Sequence, residues 1–567
     1  MKIKHRIYYF IGCLFVIMLT NSCKIINDPN NSSTTKYYTT IDRTIVPYAV
    51  PFTPTVRIDD PANFVKKGYG TWHFGEGLPV QKRMDLMPAG YDGSAVAKNT
   101  QLLRFFTITD IHITDKESPA QAIVFAPKAG KNAISCYSPL MLYSTQVFDA
   151  TVQTINDINK QNKFDLGLAL GDMVNSDQFN EIRWFIDILD GKNINPDSGT
   201  KDKPVNGLTN DYQNEFQAVG LDNSIPWYAT IGNHDHFWLG SLPMSESMKK
   251  VLVGNTIMKL PNILDRTDKQ IYSVGTIDGS TPYGTIIGAG RVDTLTNIPT
   301  IAKDSTRRAL SKTGLIAEFS NTTSFPVGHG FIQGNAKNVL GGCYSFEPKS
   351  GLPLKIIVLD DTQDESDLAP KEGIYGHGEL NNGRYDWLMA QLQAGQDSNQ
   401  LMIISAHVPI GVCQGTAMDW LPATGYSDEN NLIAQLQGFP NLILWVSGHR
   451  HLNNVTSFVS SDKAHPENSF WEVETKSLRE FPEQFRTFDI NRNSDNTISI
   501  VTTNVDPNIK EGSLAETART YALASNQIYG LQETPLPTGS VSYNAELVKQ
   551  LSPKMKDVIK NYVAPVK

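Results

Sequence analysis

Short apolar runs along this chain stop, again and again, at polar residues able to bind metals. The run 102–108 is β-branched and aromatic and ends at Thr109-Asp110-Ile111-His112. The run 164–170 ends at Gly171-Asp172, and 227–231 ends at Gly232-Asn233-His234-Asp235. Further on, 354–359 ends at Asp360-Asp361, 401–405 at Ala406-His407, and 442–446 at Ser447-Gly448-His449-Arg450-His451. Each run has the length and composition of a buried strand. Between some of them, apolar residues recur at helical spacing: 144–160, 179–189 and 383–394, the last with Trp387, Leu388 and Leu392. Strands alternating with helices predict an α/β layered domain. Such sheets place ligands at the carboxyl ends of their strands.

The rest of the pattern sets the organisation. Strand-like runs follow at 454–459, 469–475, 484–490 and 497–502, then helical spacing at 512–530 and 543–563. Residues 43–100 hold many Pro and Gly and no long periodic run, which predicts irregular structure against a main domain spanning 101–505. Residues 506–567 read as a C-terminal helical extension. About a hundred residues, 236–340, separate two of the strands, too many for a plain loop, and predict an insertion with its own structure beside the site. Neither a fixed-period repeat nor a coiled-coil heptad is visible.

The amino terminus reads as an address. Lys2, Lys4 and Arg6 precede an apolar run of 14 residues, 7–20, shorter than the roughly 20 a membrane span needs. Leu19-Thr20-Asn21-Ser22-Cys23 then resembles a loose bacterial lipobox. This predicts a signal peptide at 1–22, lipidation of Cys23 and a polar tether over 23–42, holding the chain in a bacterial cell envelope on a periplasmic or surface face. An uncleaved anchor and a plain secretory signal are the alternatives. Cleavage before Cys23 would remove three positive and no negative charges, taking the net charge from −8 to −11.

Composition narrows the function. Of 567 residues, 40% are hydrophobic and 19% charged, which excludes a mostly disordered chain. An acidic balance argues against non-specific nucleic-acid binding, which needs surplus Lys and Arg. Five scattered Cys are too few for a disulfide scaffold.

The side chains at the strand ends are Asp110, His112, Asp172, Asn233, His234, His407, His449 and His451. They include no thiolate, so the set suits divalent metals such as Mn, Fe or Zn. Eight donors are too many for one catalytic metal with an open position and fit two metals sharing a carboxylate. In Asp110-x-His112, alternation along an extended segment would point both side chains one way.

In this order, Asp-x-His, Gly-Asp, Gly-Asn-His-Asp, His and Gly-His-x-His resemble the calcineurin-like metallophosphoesterase superfamily. The resemblance implies a four-layer α/β/β/α sandwich and two divalent metal ions. Asp110, His112 and His451 would hold one metal, Asn233, His407 and His449 the other, and Asp172 would bridge them. A bridging hydroxide would attack phosphorus while His234, not itself a ligand, protonates the leaving group. Asp235 would orient that histidine or a ligand. Two departures matter. Asn175 stands where purple acid phosphatases carry a Tyr ligand, and Asn175-Ser176 where protein Ser/Thr phosphatases carry Asp-Arg. With that Arg missing, Arg450 is the candidate phosphate contact, unless it points away from the site, and His236 is a second candidate.

The substrate expected is a small phosphoester, a diester slightly ahead of a monoester or nucleotide. A fold-retaining binding or scaffold protein is the alternative of another class. The loop 411–425, with Met418, Asp419 and Trp420, is expected to wall the substrate. Asp360-Asp361 and the outlying His73, His329, His377 and His465 read as structural. The segment 471–486 resembles pieces that follow the last motif in bacterial envelope metallophosphoesterases, and by itself it fixes no chemistry.

Overall fold

The computed structural model describes residues 37–129, 134–199, 211–265, 267–331, 340–364, 375–411, 420, 429–530 and 542–562. The signal, most of the tether, Cys23, and Met418 and Asp419 of the expected substrate wall lie outside the described residues. Two mixed sheets organise the rest. One has seven strands in the order Gln81–Arg83, Ala545–Lys549, Ile498–Val505, Phe485–Asn493, Lys98–Ile108, Leu166–Ala169 and Trp227–Ala229. The other has six, in the order Tyr344–Phe346, Leu354–Val358, Leu401–Ser405, Leu442–Ser447, Phe470–Glu474 and Asn454–Phe458.

Alternation within the six-stranded sheet shows why the layers form. Ile356, Val358, Ile403, Leu444 and Val446 belong to a core shared with Phe105, Phe106 and Phe488 of the other sheet. Their neighbours Ile357, Leu359, Met402, Ile404 and Trp445 face the opposite way and pack with Leu388 and Leu392 of the helix Asn382–Asp397 and Leu432 and Leu436 of the helix Glu429–Leu436. Successive side chains of a strand point to opposite faces, so a continuous apolar run must be covered on both. The helices Ser144–Gln161 and Phe179–Leu189 cover the seven-stranded sheet: Phe148 stacks on Phe185, which meets Trp227 edge-on. This is the expected α/β/β/α sandwich.

Within each sheet, the strands that carry the polar stops run parallel. Lys98–Ile108 pairs parallel with Leu166–Ala169, and that with Trp227–Ala229. Leu354–Val358, Leu401–Ser405 and Leu442–Ser447 also pair in parallel succession. The carboxyl ends in each set therefore reach one rim.

Two expectations are corrected. Residues 543–563 are not one helix: Ala545–Lys549 is a strand of the main sheet, followed by the helix Pro553–Asn561. Ala545, Leu547, Leu551, Met555 and Ile559 are all buried, and a strand spacing running into a helical one reads as a single helical pattern. Residues 43–100 are not wholly irregular. Arg43–Pro47 pairs with Trp72–Glu76, and Gln81–Arg83 joins the main sheet beside Ala545–Lys549. The insertion has its own antiparallel sheet, Lys259–Pro261, Ile271–Asp278 and Thr285–Arg291. Its core joins Trp238, Leu252, Met258 and Val274 to Ala120, Ala122 and Phe125 of the loop after His112. Among the described residues no helix is long and apolar enough to cross a membrane.

Lys549 is fully buried and donates to the carbonyl oxygens of Glu467, at 2.7 Å, and Ser469. Burial pulls its ammonium down to about 7. The unfolded chain keeps that proton up to about pH 10.4, so between these values the unfolded state binds more protons and stability rises with pH. The stability of the wild type relative to Lys549→Met, followed by urea denaturation, should increase from pH 7 to pH 10. A flat difference would show that Lys549 stays charged in the fold.

Candidate metal centre

The two rims meet at one cluster of nitrogen and oxygen donors. Asp172 Oδ2 lies 3.3 Å from His407 Nε2 and 3.8 Å from His112 Nε2. His451 Nε2 lies 3.2 Å from Asp110 Oδ1 and 3.2 Å from His112 Nε2. On the other side, Asn233 Oδ1 is 3.0 Å from His407 Nε2 and 3.1 Å from His449 Nδ1, and those two ring nitrogens are 3.3 Å apart. Asp110-His112-His451 and Asp172-His407-His449 each converge tightly enough to hold a metal ion. So does His112-Asp172-His234, which puts the His234 ring against the His112 ring, centroids 4.4 Å apart. All seven expected ligands are thus brought together, buried or nearly so.

The backbone is bent to achieve this. Asp110, His112, Asp172, His449 and His451 all have positive φ, between 47° and 71°. The left-handed region costs a non-glycine residue roughly 1–2 kcal/mol. Asp110 and His112 are therefore not alternate residues of an extended segment, as the spacing suggested. Each turns separately, and their amides bond across to the carbonyls of Gly171 and Asp172. The motif glycines Gly232 and Gly448 serve close approach. A Cβ at Gly232 would fall 2.2 Å from Asp172 Oδ1, and one at Gly448 2.0 Å from Thr109 Oγ1.

Two buried carboxylates hold the loops from behind. Asp235 accepts the amides of Gly232, Asp172, Met173 and Val174 at 2.8–3.2 Å. Asp361 accepts those of His407 and Val408. Asp235 therefore ties two ligand loops together and does not touch the His234 ring, whose Nδ1 lies 2.7 Å from the carbonyl oxygen of Asn175. Burial pushes Asp235 up to about 7, with the Asp172 charge adding to it and the amides opposing. Asp361 is also pushed up to about 7 by burial.

The electrostatics call for a cation. Burial alone would raise the pKa of Asp172, but His407 and His234 hold it well below the usual carboxylate range. Burial opposes protonation of His407 and His451, yet Asp172 raises the first to about 10, and Glu480 with Asp110 raises the second to about 10. Carboxylates here draw positive charge onto whatever can carry it, and ring nitrogens 3.2–3.3 Å apart face each other. Unshared electron pairs converging in this way fit divalent cations.

Neither expected substrate contact faces the cluster. Arg450 turns away into an ion pair with Glu474, its Nε 2.8 Å from Oε2. His449 and His451, both left-handed, turn inward separately, and the residue between them is left facing Glu474. His236 is buried beneath the site, with Nε2 2.9 Å from Thr362 Oγ1. Trp420 is buried too, donating to the carbonyl of Pro409, and packs in the core beside Trp445. Asp360 pairs with Lys312 and Arg384, and His329 stacks on Trp227. Sequence reasoning missed Glu480, whose Oε1 lies 2.6 Å from His451 Nδ1. It also missed Gly240, whose Cβ, if present, would fall 2.4 Å from His234 Nε2.

Replacing Asp235 by Asn would set an NH2 against backbone N–H groups that now share a carboxylate. Leaving buried donors unpaired costs about 1–3 kcal/mol. Asp235→Asn should lower the urea unfolding free energy by about that amount. Unchanged stability would mean that the loops hold without this carboxylate.

No curated protein sequence matches the chain. Among solved structures, it is similar to a dimetal phosphatase from Danio rerio, with 11% identity over 72% of this chain and 97% of the other, and a TM-score of 0.37. The family model for calcineurin-like phosphoesterases matches residues 103–453. That span is more than half of the chain and contains every strand-end donor in the cluster. The chain thus belongs to the calcineurin-like phosphoesterases, hydrolases of phosphoric esters.

Proposed function

We propose that this protein is a dinuclear phosphodiesterase in which Asp110, His112 and His451 seat one divalent cation and Asn233, His407 and His449 the second. The observation that carries this reading is the Asp172 carboxylate, which faces His112 on one side and His407 on the other. When bound, such a pair clamps a phosphate, lowers the pKa of water and offsets developing charge. Mn, Fe and Zn all suit the donor set.

The remaining work falls to His234. Its Nδ1 is held by the Asn175 carbonyl, which fixes the ring and leaves Nε2 for the leaving-group oxygen. His234 as a whole residue is 7% exposed, so the imidazole is largely shielded from bulk water. A diester is favoured over a monoester because it brings one negative charge rather than two. Arg450 is engaged by Glu474, and Arg479 donates to Thr114 and to the carbonyls of Ile134 and Ser135. A dianion would lack the help of either guanidinium.

The same reading places the enzyme outside the cytoplasm, tethered through lipid on Cys23. Its support is the basic, apolar and lipobox-like order of residues 2–23. Radiolabelled palmitate incorporated by the wild type but not by Cys23→Ala is the expected result.

With manganese supplied, bis-nitrophenyl phosphate should be cleaved faster than the mono-ester, and the reverse order would favour a monoesterase. His234→Ala should lose about 10²–10⁴-fold on esters with alkyl leaving groups, where a proton must be delivered. It should lose far less on nitrophenyl esters, whose leaving group needs none. An equal loss on both would remove His234 as proton donor. Asp172→Ala should bind at most one metal ion per chain by mass-spectrometric metal analysis, and two ions retained would end the shared-carboxylate reading.

A further inference from the structure

The four ligand imidazoles are not backed alike. His407 Nδ1 lies 2.8 Å from the carbonyl oxygen of Leu170, a neutral partner. Among the described residues, the outward ring nitrogens of His112 and His449 are buried without a protein partner. Among the same residues, His451 alone of the four has a carboxylate behind it, Glu480 Oε1 at 2.6 Å from Nδ1. Glu480 is only 9% exposed. The short contact makes Glu480 the acceptor of the Nδ1 proton.

The segment that carries Glu480 is fastened to the metal side of the fold. Ser477 Oγ donates to the carbonyl oxygen of Asp110 at 2.7 Å and accepts the amide of Arg479 at 2.9 Å. Arg479, fully buried, donates to Thr114 Oγ1 at 2.9 Å, two residues beyond His112. Further along, Glu483 is paired with Arg519 of the helix Leu514–Tyr529. The carboxylate is therefore held by both neighbouring stretches of chain, so its short contact with His451 is set by the scaffold. The segment 477–483 and the helix Leu514–Tyr529 lie beyond residue 453, outside the span that matches the family.

We propose that Glu480 is a positioning residue that acts through His451 on the cation seated by Asp110, His112 and His451. It fixes the Nδ1–H tautomer, so that Nε2 presents its electron pair to the metal. It also places a second negative charge on the side that already has Asp110. In the other seat, built from Asn233, His407 and His449, no carboxylate among the described residues bonds the outward nitrogen of a ligand ring: the Leu170 carbonyl meets His407 Nδ1, and Asp361 reaches the His407 amide and not the ring. The Asp110 side thus holds its cation the more tightly of the two. The inference rests on the dinuclear reading and adds to it an inequality between the two seats.

The test is a manganese titration of the purified full-length protein by equilibrium dialysis. The wild type should show two binding classes. Glu480→Gln keeps an acceptor for Nδ1–H but removes the charge, and should weaken one class about 10–100-fold, leaving the other within twofold. Glu480→Asp keeps the charge and withdraws it by one methylene; it should weaken the same class by less, and it supplies the readout if the Gln variant fails to fold. Glu246→Gln, the same charge change on the exposed first turn of the helix Glu246–Leu252, should leave both classes unchanged. Two wild-type classes that Glu480→Gln leaves alone, or weakens equally, would overturn the role of Glu480. A wild type that binds fewer than two manganese ions would overturn the dinuclear reading itself.

Discussion

The structure depends on holding electron-pair donors closer together than they would choose to be. Seven side chains from five loops converge, with ring nitrogens 3.2–3.3 Å apart and Asp172 between them. Without positive charge such a cluster repels itself. The fold meets this cost in two ways. Five ligand residues are forced into the left-handed region, and two buried carboxylates, Asp235 and Asp361, gather the amides of the loops that carry them. Strain of this kind persists only where the surroundings over-determine it. The parallel strands that end at the common rim, packed on both faces, supply that rigidity.

Much of this was legible in the sequence, for a physical reason. A strand buried on both faces must be continuously apolar, so its end is abrupt and the first polar residues stand out. That is why Asp110, Asp172, Asn233, His407 and His449 could be assigned to one rim before any coordinates. Direction was less legible. Arg450 lies between two ligands in sequence, and only backbone geometry shows that it turns to Glu474. The i, i+2 pair Asp110 and His112 suggested an extended strand, whereas both residues are left-handed. Ala545–Lys549 looked helical because a five-residue strand gives too short a period-2 signal before the following helix overwrites it. Glu480 was visible as a residue, but its partner lies 29 positions away, and nothing local in the pattern links them.

The insertion shows how a long loop can be structured without disturbing the site. Its core is continuous with residues 120–125, which follow His112. Arg307, from the insertion, is buried against Asp115 and Ser198. Lys312 is likewise paired with Asp360, just beyond the strand Leu354–Val358. Breaking a buried pair is costly because it leaves one charge uncompensated. These pairs therefore pin the insertion at two points, to the loop after His112 and to the end of the strand Leu354–Val358, while Gly240, at its start, sits against the His234 ring.

Charge, finally, separates what the family motif supplies from what this chain adds. The motif brings two carboxylates, an amide and four imidazoles, and among the described residues the nearby arginines turn away from them. The nearby guanidiniums serve the scaffold: Arg450 holds Glu474, Arg479 spans Thr114 and residues 134–135, and Arg384 reaches the carbonyl oxygens of Asp360 and Thr362. With these three arginines engaged in structure, bound metal ions would supply much of the positive charge that a phosphate meets. Glu480 carries its consequence in the same terms. A negative charge placed on the outward nitrogen of a ligand imidazole is felt by a cation in front of it, with Arg479 and Lys476 offsetting part of it.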